Sequence, residues 1–210
     1  MSGPVEQVLA AALFAAERHS QQRRKGQAGI PYINHLLEVA HLISENGDPA
    51  DTNLIVAALL HDVVEDTPTS LAEVEQRFGR DVASLVAEVT DDKSLPKETR
   101  KALQVQNAPR KSARAQMIKL ADKISNLRSI LSAPPDWPYE RKRQYFDWAK
   151  QVVDGLPAPN GRLKAEFDRV HYGLFFDFLG AGLDHHDAFG STDDHDVEQA
   201  LAHFRLGRIH

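Results

Sequence analysis

The stretch Leu60-His61-Asp62-Val63-Val64-Glu65-Asp66-Thr67 closes an apolar run that begins at Ile55. A run apolar on most sides reads as a central helix, started near Asp51, reaching about Val64 and stopped by Thr67-Pro68. Four ionisable side chains at the end of such a helix are costly to desolvate without partners. His61 and Glu65 are four apart, as are Asp62 and Asp66, so each pair lies along one helical face. A divalent cation is the simplest partner for a cluster that mixes imidazole and carboxylate, and it lowers the pKa of bound water enough to make a nucleophile. An isolated His-Asp dipeptide with solvated carboxylates is the default reading. Glu65 and Asp66 in register on a buried helix weigh against it.

Working outward, two segments bear on the same chemistry. Tyr32-Ile33-Asn34-His35 puts a histidine at the start of an apolar-faced helix. Lys119-Leu120-Ala121-Asp122-Lys123-Ile124-Ser125-Asn126-Leu127 puts Asp122 and Asn126 four apart on a long helix. Taken singly, His35 reads as a hydrogen bonder at a helix start, and Asp122 as a surface ion pair with Arg128 or a neighbouring lysine.

Helical periodicity runs through the rest. Val5 to His19 predicts an amphipathic helix with Val8, Leu9, Ala12, Leu13 and Ala16 inward. A polar segment, 21–29, precedes the His35 helix, whose Leu36, Val39, Ala40 and Ile43 face inward. Ser70 with Glu73 predicts a capping box, and Gly79 ends that helix. Short helices over 81–90 and 97–106 flank a charged loop, 91–96. Longer helices follow over 113–131, 139–153 and 162–179, with Pro134-Pro135 stopping the first. No strand, hairpin or repeat is evident. The expected fold is all-α, one compact domain over 1–180, with a tail over 181–210 that reads as a linker and a short helix near 197–206. His185, His186 and His195 in that tail lack helical register and are read as solvated rather than ligating.

Composition narrows the function. With 210 residues, 42% of them hydrophobic, the chain can bury one real core. A net charge of −5 argues against bulk attraction to DNA, RNA or an anionic membrane, so an anionic substrate needs a local basic cluster. With no cysteine, disulfides and thiolate metal sites are excluded, and a reducing cytoplasm fits. The N-terminus does not read as a signal peptide, and no stretch approaches the roughly 20 apolar residues of a membrane helix. Self-association as a homo-oligomer is left open.

The ordered set His35…His61-Asp62…Asp122 is the signature of the HD phosphohydrolase superfamily, and neighbouring runs carry the resemblance further. Arg23-Arg24-Lys25, the runs PYINH at 31–35, AALLHDVVEDT at 57–67, EVTDDKSLPK at 88–97 and KLADKISNLR at 119–128 resemble the hydrolase domain of the RelA/SpoT-homologue family. The small stand-alone alarmone hydrolases, including the metazoan SpoT-homologue group, are the nearest resemblance. It spans roughly Val5 to Leu179. Leu36 stands where the family usually has proline, a change that keeps the helix and its apolar face.

The resemblance implies an HD-domain helical fold and a guanosine 3′,5′-bispyrophosphate (ppGpp or pppGpp) 3′-pyrophosphohydrolase of the stringent response. It implies His35, His61, Asp62 and Asp122 as ligands to one Mn²⁺; the donor set also suits Fe²⁺, Co²⁺ or Zn²⁺. Glu65 and Asp66 would activate water for attack at the 3′ phosphorus, giving pyrophosphate and GDP or GTP. Arg24 and Lys25 would meet base and phosphates, and Asn126 a ribose hydroxyl. Tyr32, Arg141 and Tyr145 are weaker candidates for substrate contact. Lys97, with Lys93, Arg100 and Lys101, is read as a lid over the pyrophosphate or as a solvated helix. Two alternatives stay open: a related phosphatase acting on another phosphorylated nucleotide or dinucleotide, and a binding protein that has lost catalysis. The presence of both Glu65 and Asp66 speaks against the last.

Overall fold

The computed structural model describes residues 3–26, 29–48 and 50–180, with side chains through residue 173. The chain runs through α1 (Pro4–Arg18), α2 (Ile33–Asn46), α3 (Thr52–Leu60), α4 (Val63–Asp66), α5 (Leu71–Phe78) and α6 (Arg80–Val89). It continues through α7 (Lys97–Asn107), a 3₁₀ turn over Ala108–Arg110, α8 (Ala113–Ser132), α9 (Tyr139–Asp154) and α10 (Gly161–Gly180). Among the described residues there is no strand, only an isolated antiparallel bridge between Arg23 and Pro31. The expected tail, with its linker, terminal helix and histidines, lies outside the described residues.

Side-chain caps set four of the described helix starts, with Asn160 Oδ1 serving α10 by accepting from the Leu163 N–H at 3.1 Å. Asp51 Oδ1 accepts from the Leu54 N–H at 3.1 Å, Ser70 Oγ from Glu73 at 3.2 Å, and Ser112 Oγ from Ala115 at 3.2 Å. The Ser70–Glu73 box forms only in part: the Glu73 carboxylate takes Arg18 at 2.6 Å. An arginine brought in from α1 competes for the carboxylate that a local pattern assigns to the cap.

Two helices form the centre. α3 packs on α1, α2 and α6, and α8 packs on α2, α6, α9 and α10. Leu54 and Val56 to Leu60 are buried on α3. α8 is buried along most of its length, yet Lys119, Asp122, Lys123 and Ser125 are among its buried residues. Polar side chains in so central a helix need partners, and those partners build the site.

Two expectations change. α1 has the expected period but another phase: Ala11, Phe14 and Ala15 are buried, while Leu9 and Leu13 are each 63% exposed. Residues 8–16 are apolar throughout, so the pattern cannot fix which face turns inward. Phe14 decides it, packing edge-on to Phe78 at 5.5 Å. The central helix expected to run to Val64 is interrupted at His61-Asp62, between α3 and α4. Leu36 is fully buried in an uninterrupted α2, so its replacement of proline leaves helix and core intact.

Candidate active site

The interruption at His61-Asp62 re-aims both side chains toward α2 and α8. His61 Nδ1 lies 2.8 Å from the Ala58 carbonyl. A carbonyl only accepts, so Nδ1 carries the hydrogen and Nε2 presents a lone pair when the ring is neutral. His61 Nε2 is 3.1 Å from Asp62 Oδ2 and 3.8 Å from Asp122 Oδ1. His35, from the first turn of α2, brings its Nε2 to 3.6 Å from Asp62 Oδ2 and 3.3 Å from Asp122 Oδ1. Both Nε2 atoms are buried without a hydrogen-bond partner. Ligand atoms of His35, His61 and Asp62 all fall within 4.8 Å of one another, and Asp122 joins from α8 through the two imidazole contacts.

Acceptor atoms converging in a buried space repel unless positive charge lies between them. The titration of His61 expresses the same demand: burial pushes its pKa down, but the carboxylates, Asp62 foremost, lift it to about 10. Asp62 and Asp122 resist the upward push of burial and sit well below the usual carboxylate range, Asp62 drawn down first by His61 and Asp122 by Lys123. Two imidazoles and two carboxylates therefore fit a divalent cation by donor chemistry and by the orphaned Nε2 atoms of the two imidazoles.

Around this centre lies a second layer of hydrogen bonds. The Tyr32 hydroxyl donates to Asp62 Oδ2 at 2.6 Å, and its ring stacks on His19 at 5.0 Å. Lys123, buried in α8, donates to Asp122 Oδ2 at 2.9 Å, and Asn126 Nδ2 donates to Asp122 Oδ1 at 2.6 Å. The neighbouring lysine thus pairs with Asp122, and does so in the interior rather than at the surface; Arg128 goes instead to Glu38 and Glu166.

The centre opens into a cavity of about 520 Å³. Glu65, Asp66, Arg24, Lys25, Tyr32, Lys97, Asn126 and Tyr145 all line it with His61, Asp62 and Asp122. His35 is buried behind, and Arg141 stands outside the lining, its guanidinium 4.3 Å above the Trp137 ring. Lysine and arginine outnumber carboxylates in the lining, so a chain of net charge −5 concentrates positive charge at one opening. Lys93, Lys97, Arg100 and Lys101 all line this cavity, Lys93 and Lys97 from solvent-exposed positions at its mouth. Lys93 pairs with Asp66, and Arg100 is 3.5 Å from Glu65.

Gly26 carries the basic segment up to the cavity. A Cβ there would meet the Ala133 carbonyl oxygen at 2.7 Å, so only glycine lets the segment close on the end of α8. Arg24 then reaches α8, donating to Ser125 Oγ and Asn126 Oδ1 at 3.1 Å each. At the far wall, Lys101 and Lys123 lie 4.8 and 4.5 Å from the Trp148 ring centre.

Sequence reasoning did not single out Lys123, Ser125, Glu38 or Gln22. Gln22 Nε2 donates to Asp66 Oδ2 at 2.8 Å. The available signal was the density of polar residues in KLADKISNLR, too high for a helix that must also be central.

An all-helical domain with this His/His-Asp/Asp cluster at its centre defines a class, and a family model described as HD domain matches residues 11–148. The chain belongs to the HD-domain family, in which hydrolases hold a divalent metal. Among curated relatives, the guanosine-3′,5′-bis(diphosphate) 3′-pyrophosphohydrolase MESH1 of Xenopus tropicalis is 49% identical over 81% of this chain and 96% of its own length. MESH1 of Homo sapiens is 50% identical over 78% of this chain and 92% of its own. A solved structure described as a metazoan orthologue of SpoT that hydrolyses ppGpp superposes with a TM-score of 0.75 at 46% identity, covering 81% of this chain and 96% of that one. No described helix is long and apolar enough to cross a membrane.

Proposed function

We propose that this protein is a guanosine-3′,5′-bis(diphosphate) 3′-pyrophosphohydrolase acting on ppGpp and pppGpp, with Mn²⁺ as its metal. The observation that carries the reading is the pairing of the four-acceptor centre with a cationic cavity, in a chain about half identical to curated enzymes of that activity across nearly their whole length. His35, His61, Asp62 and Asp122 are the ligands. A divalent ion there supplies Lewis acidity and eases deprotonation of water.

The remaining chemistry belongs to side chains. Glu65 and Asp66 face the cavity beside the centre, and Glu65 is the base that takes the proton from attacking water. Burial, then the charges of Asp62 and Asp91, raise its pKa to about 7, near the value a base needs at neutral pH. Asp66 orients the water; its oxygens are held meanwhile by Gln22 and Lys93. Arg24 and Lys25 meet the guanosine and its phosphates, Asn126 the ribose, and Lys97 with Arg100 and Lys101 the pyrophosphate. Tyr145 packs with Trp137 and Trp148 on an aromatic wall suited to a base or ribose, with Arg141 at its edge. Cysteine-free composition supports a cytoplasmic protein.

Incubation of the Mn²⁺-loaded protein with ppGpp, with products separated by chromatography, tests the assignment. Pyrophosphate and GDP are expected. Orthophosphate release across a nucleotide panel, with ppGpp untouched, would move the activity to another phosphorylated nucleotide.

A pH dependence follows from Glu65. The base form is the deprotonated one, so turnover climbs as pH rises through an acid limb. The limb sits at or below about 7, because a cation beside Asp62 offsets that carboxylate's repulsion. A rate profile flat across neutrality would remove Glu65 from the role of base.

A further inference from the structure

The tautomer of His35 is fixed by a hydrogen-bond chain that reaches the far side of α2. Ser125 Oγ has one hydrogen to give and two lone pairs to fill. It lies 2.6 Å from Glu38 Oε2, and a carboxylate oxygen takes the hydrogen. Arg128 Nη1 donates to the other Glu38 oxygen at 3.0 Å and holds it as an acceptor. Arg24 Nη1, which can only donate, fills one lone pair of Ser125 Oγ at 3.1 Å. The last lone pair faces His35 Nδ1 at 2.8 Å. His35 Nδ1 must therefore carry a hydrogen, which leaves Nε2 bare toward Asp62 and Asp122.

We propose that Ser125 and Glu38 are positioning residues that lock His35 in the tautomer able to ligate a divalent cation through Nε2. The inference rests on the reading of His35, His61, Asp62 and Asp122 as one metal site. The two imidazoles are secured differently. His61 is held by the Ala58 carbonyl of its own helix, which no side-chain substitution removes. His35 depends on a hydroxyl from α8 and a carboxylate from α2. Since Arg24 uses the same hydroxyl, the substrate-facing wall and the metal ligand share one oxygen.

Outer hydrogen bonds of this kind change metal affinity by about 10–100-fold when removed. The test titrates chelator-stripped full-length protein with Mn²⁺ alone, reading free Mn²⁺ by electron paramagnetic resonance. Ser125→Ala is expected to weaken binding within that range. Glu38→Ala is expected to weaken it in the same direction, because the freed Ser125 hydrogen turns toward His35 Nδ1 and favours the wrong tautomer. Glu38 is only half-buried, so this variant carries the test if Ser125→Ala does not fold. The gap between metal-loaded and metal-free Tm should narrow in both variants, a change that a purely structural role would not produce. Wild-type Mn²⁺ affinity in the variants overturns the inference. Absence of Mn²⁺ binding in the wild-type protein overturns the four-ligand reading beneath it.

Discussion

Asp62→Ala is expected to leave the protein unable to retain a divalent ion and without measurable turnover. Asp62 Oδ2 is the atom that both imidazoles approach, at 3.6 Å from His35 Nε2 and 3.1 Å from His61 Nε2. Without it, the remaining set has two neutral nitrogens and one carboxylate, itself shared with Lys123 and Asn126. Charge lost from the inner set weakens binding more than any outer hydrogen bond does. Tyr32 also loses the acceptor of its hydroxyl, which burial first and that carboxylate second keep protonated. Elemental analysis of the purified variant should find little metal. Thermal stabilisation by added Mn²⁺, about 2.7 kcal/mol for a ligand at a hundred times its Kd, should disappear. A variant that keeps stoichiometric metal and wild-type Tm shifts would remove Asp62 from the ligand set.

Glu65→Gln should separate binding from chemistry. Glu65 receives the Asp91 N–H at 3.2 Å and sits near Arg100, but it makes none of the short contacts with the imidazole nitrogens. The amide keeps the size and one acceptor, so metal content should match wild type. Loss of a positioned base is expected to lower kcat by about 10²- to 10⁴-fold. The acid limb of the pH profile should vanish with it. Full activity would transfer the proton to Asp66, whose Oδ2 is 2.8 Å from Gln22 Nε2.

Much of the helical frame was legible because helix punctuation is local. Asp51, Ser70 and Ser112 cap through side-chain oxygens that accept from N–H groups only three residues on, and glycine and proline stops fall where the pattern changes. The His/His-Asp/Asp set was legible because its residue types are rare in a buried setting and their order is distinctive. The phase of α1 was not, since nine successive apolar residues offer no polar face to exclude. Nor was the interruption at His61-Asp62, where packing against α2 and α8 overrides propensity. Partnerships such as Ser125 with Glu38, or Arg128 with Glu38 rather than Asp122, join positions some ninety residues apart in sequence. No local pattern specifies them; they depend on how α2 and α8 cross.

The two tryptophans of the chain, Trp137 and Trp148, both line the cavity. Lys101 and Lys123 sit over one indole, and Arg141 over the other. Tryptophan emission from this protein, excited selectively at its red edge, therefore originates wholly beside the site, with no indole elsewhere to dilute it. Arrival of a nucleotide should quench or shift that light in proportion to occupancy, so an unlabelled titration reports binding even in variants that cannot turn over. By the same token, emission followed during denaturation tracks the opening of this wall, and the far-ultraviolet helical signal is the independent gauge of the frame.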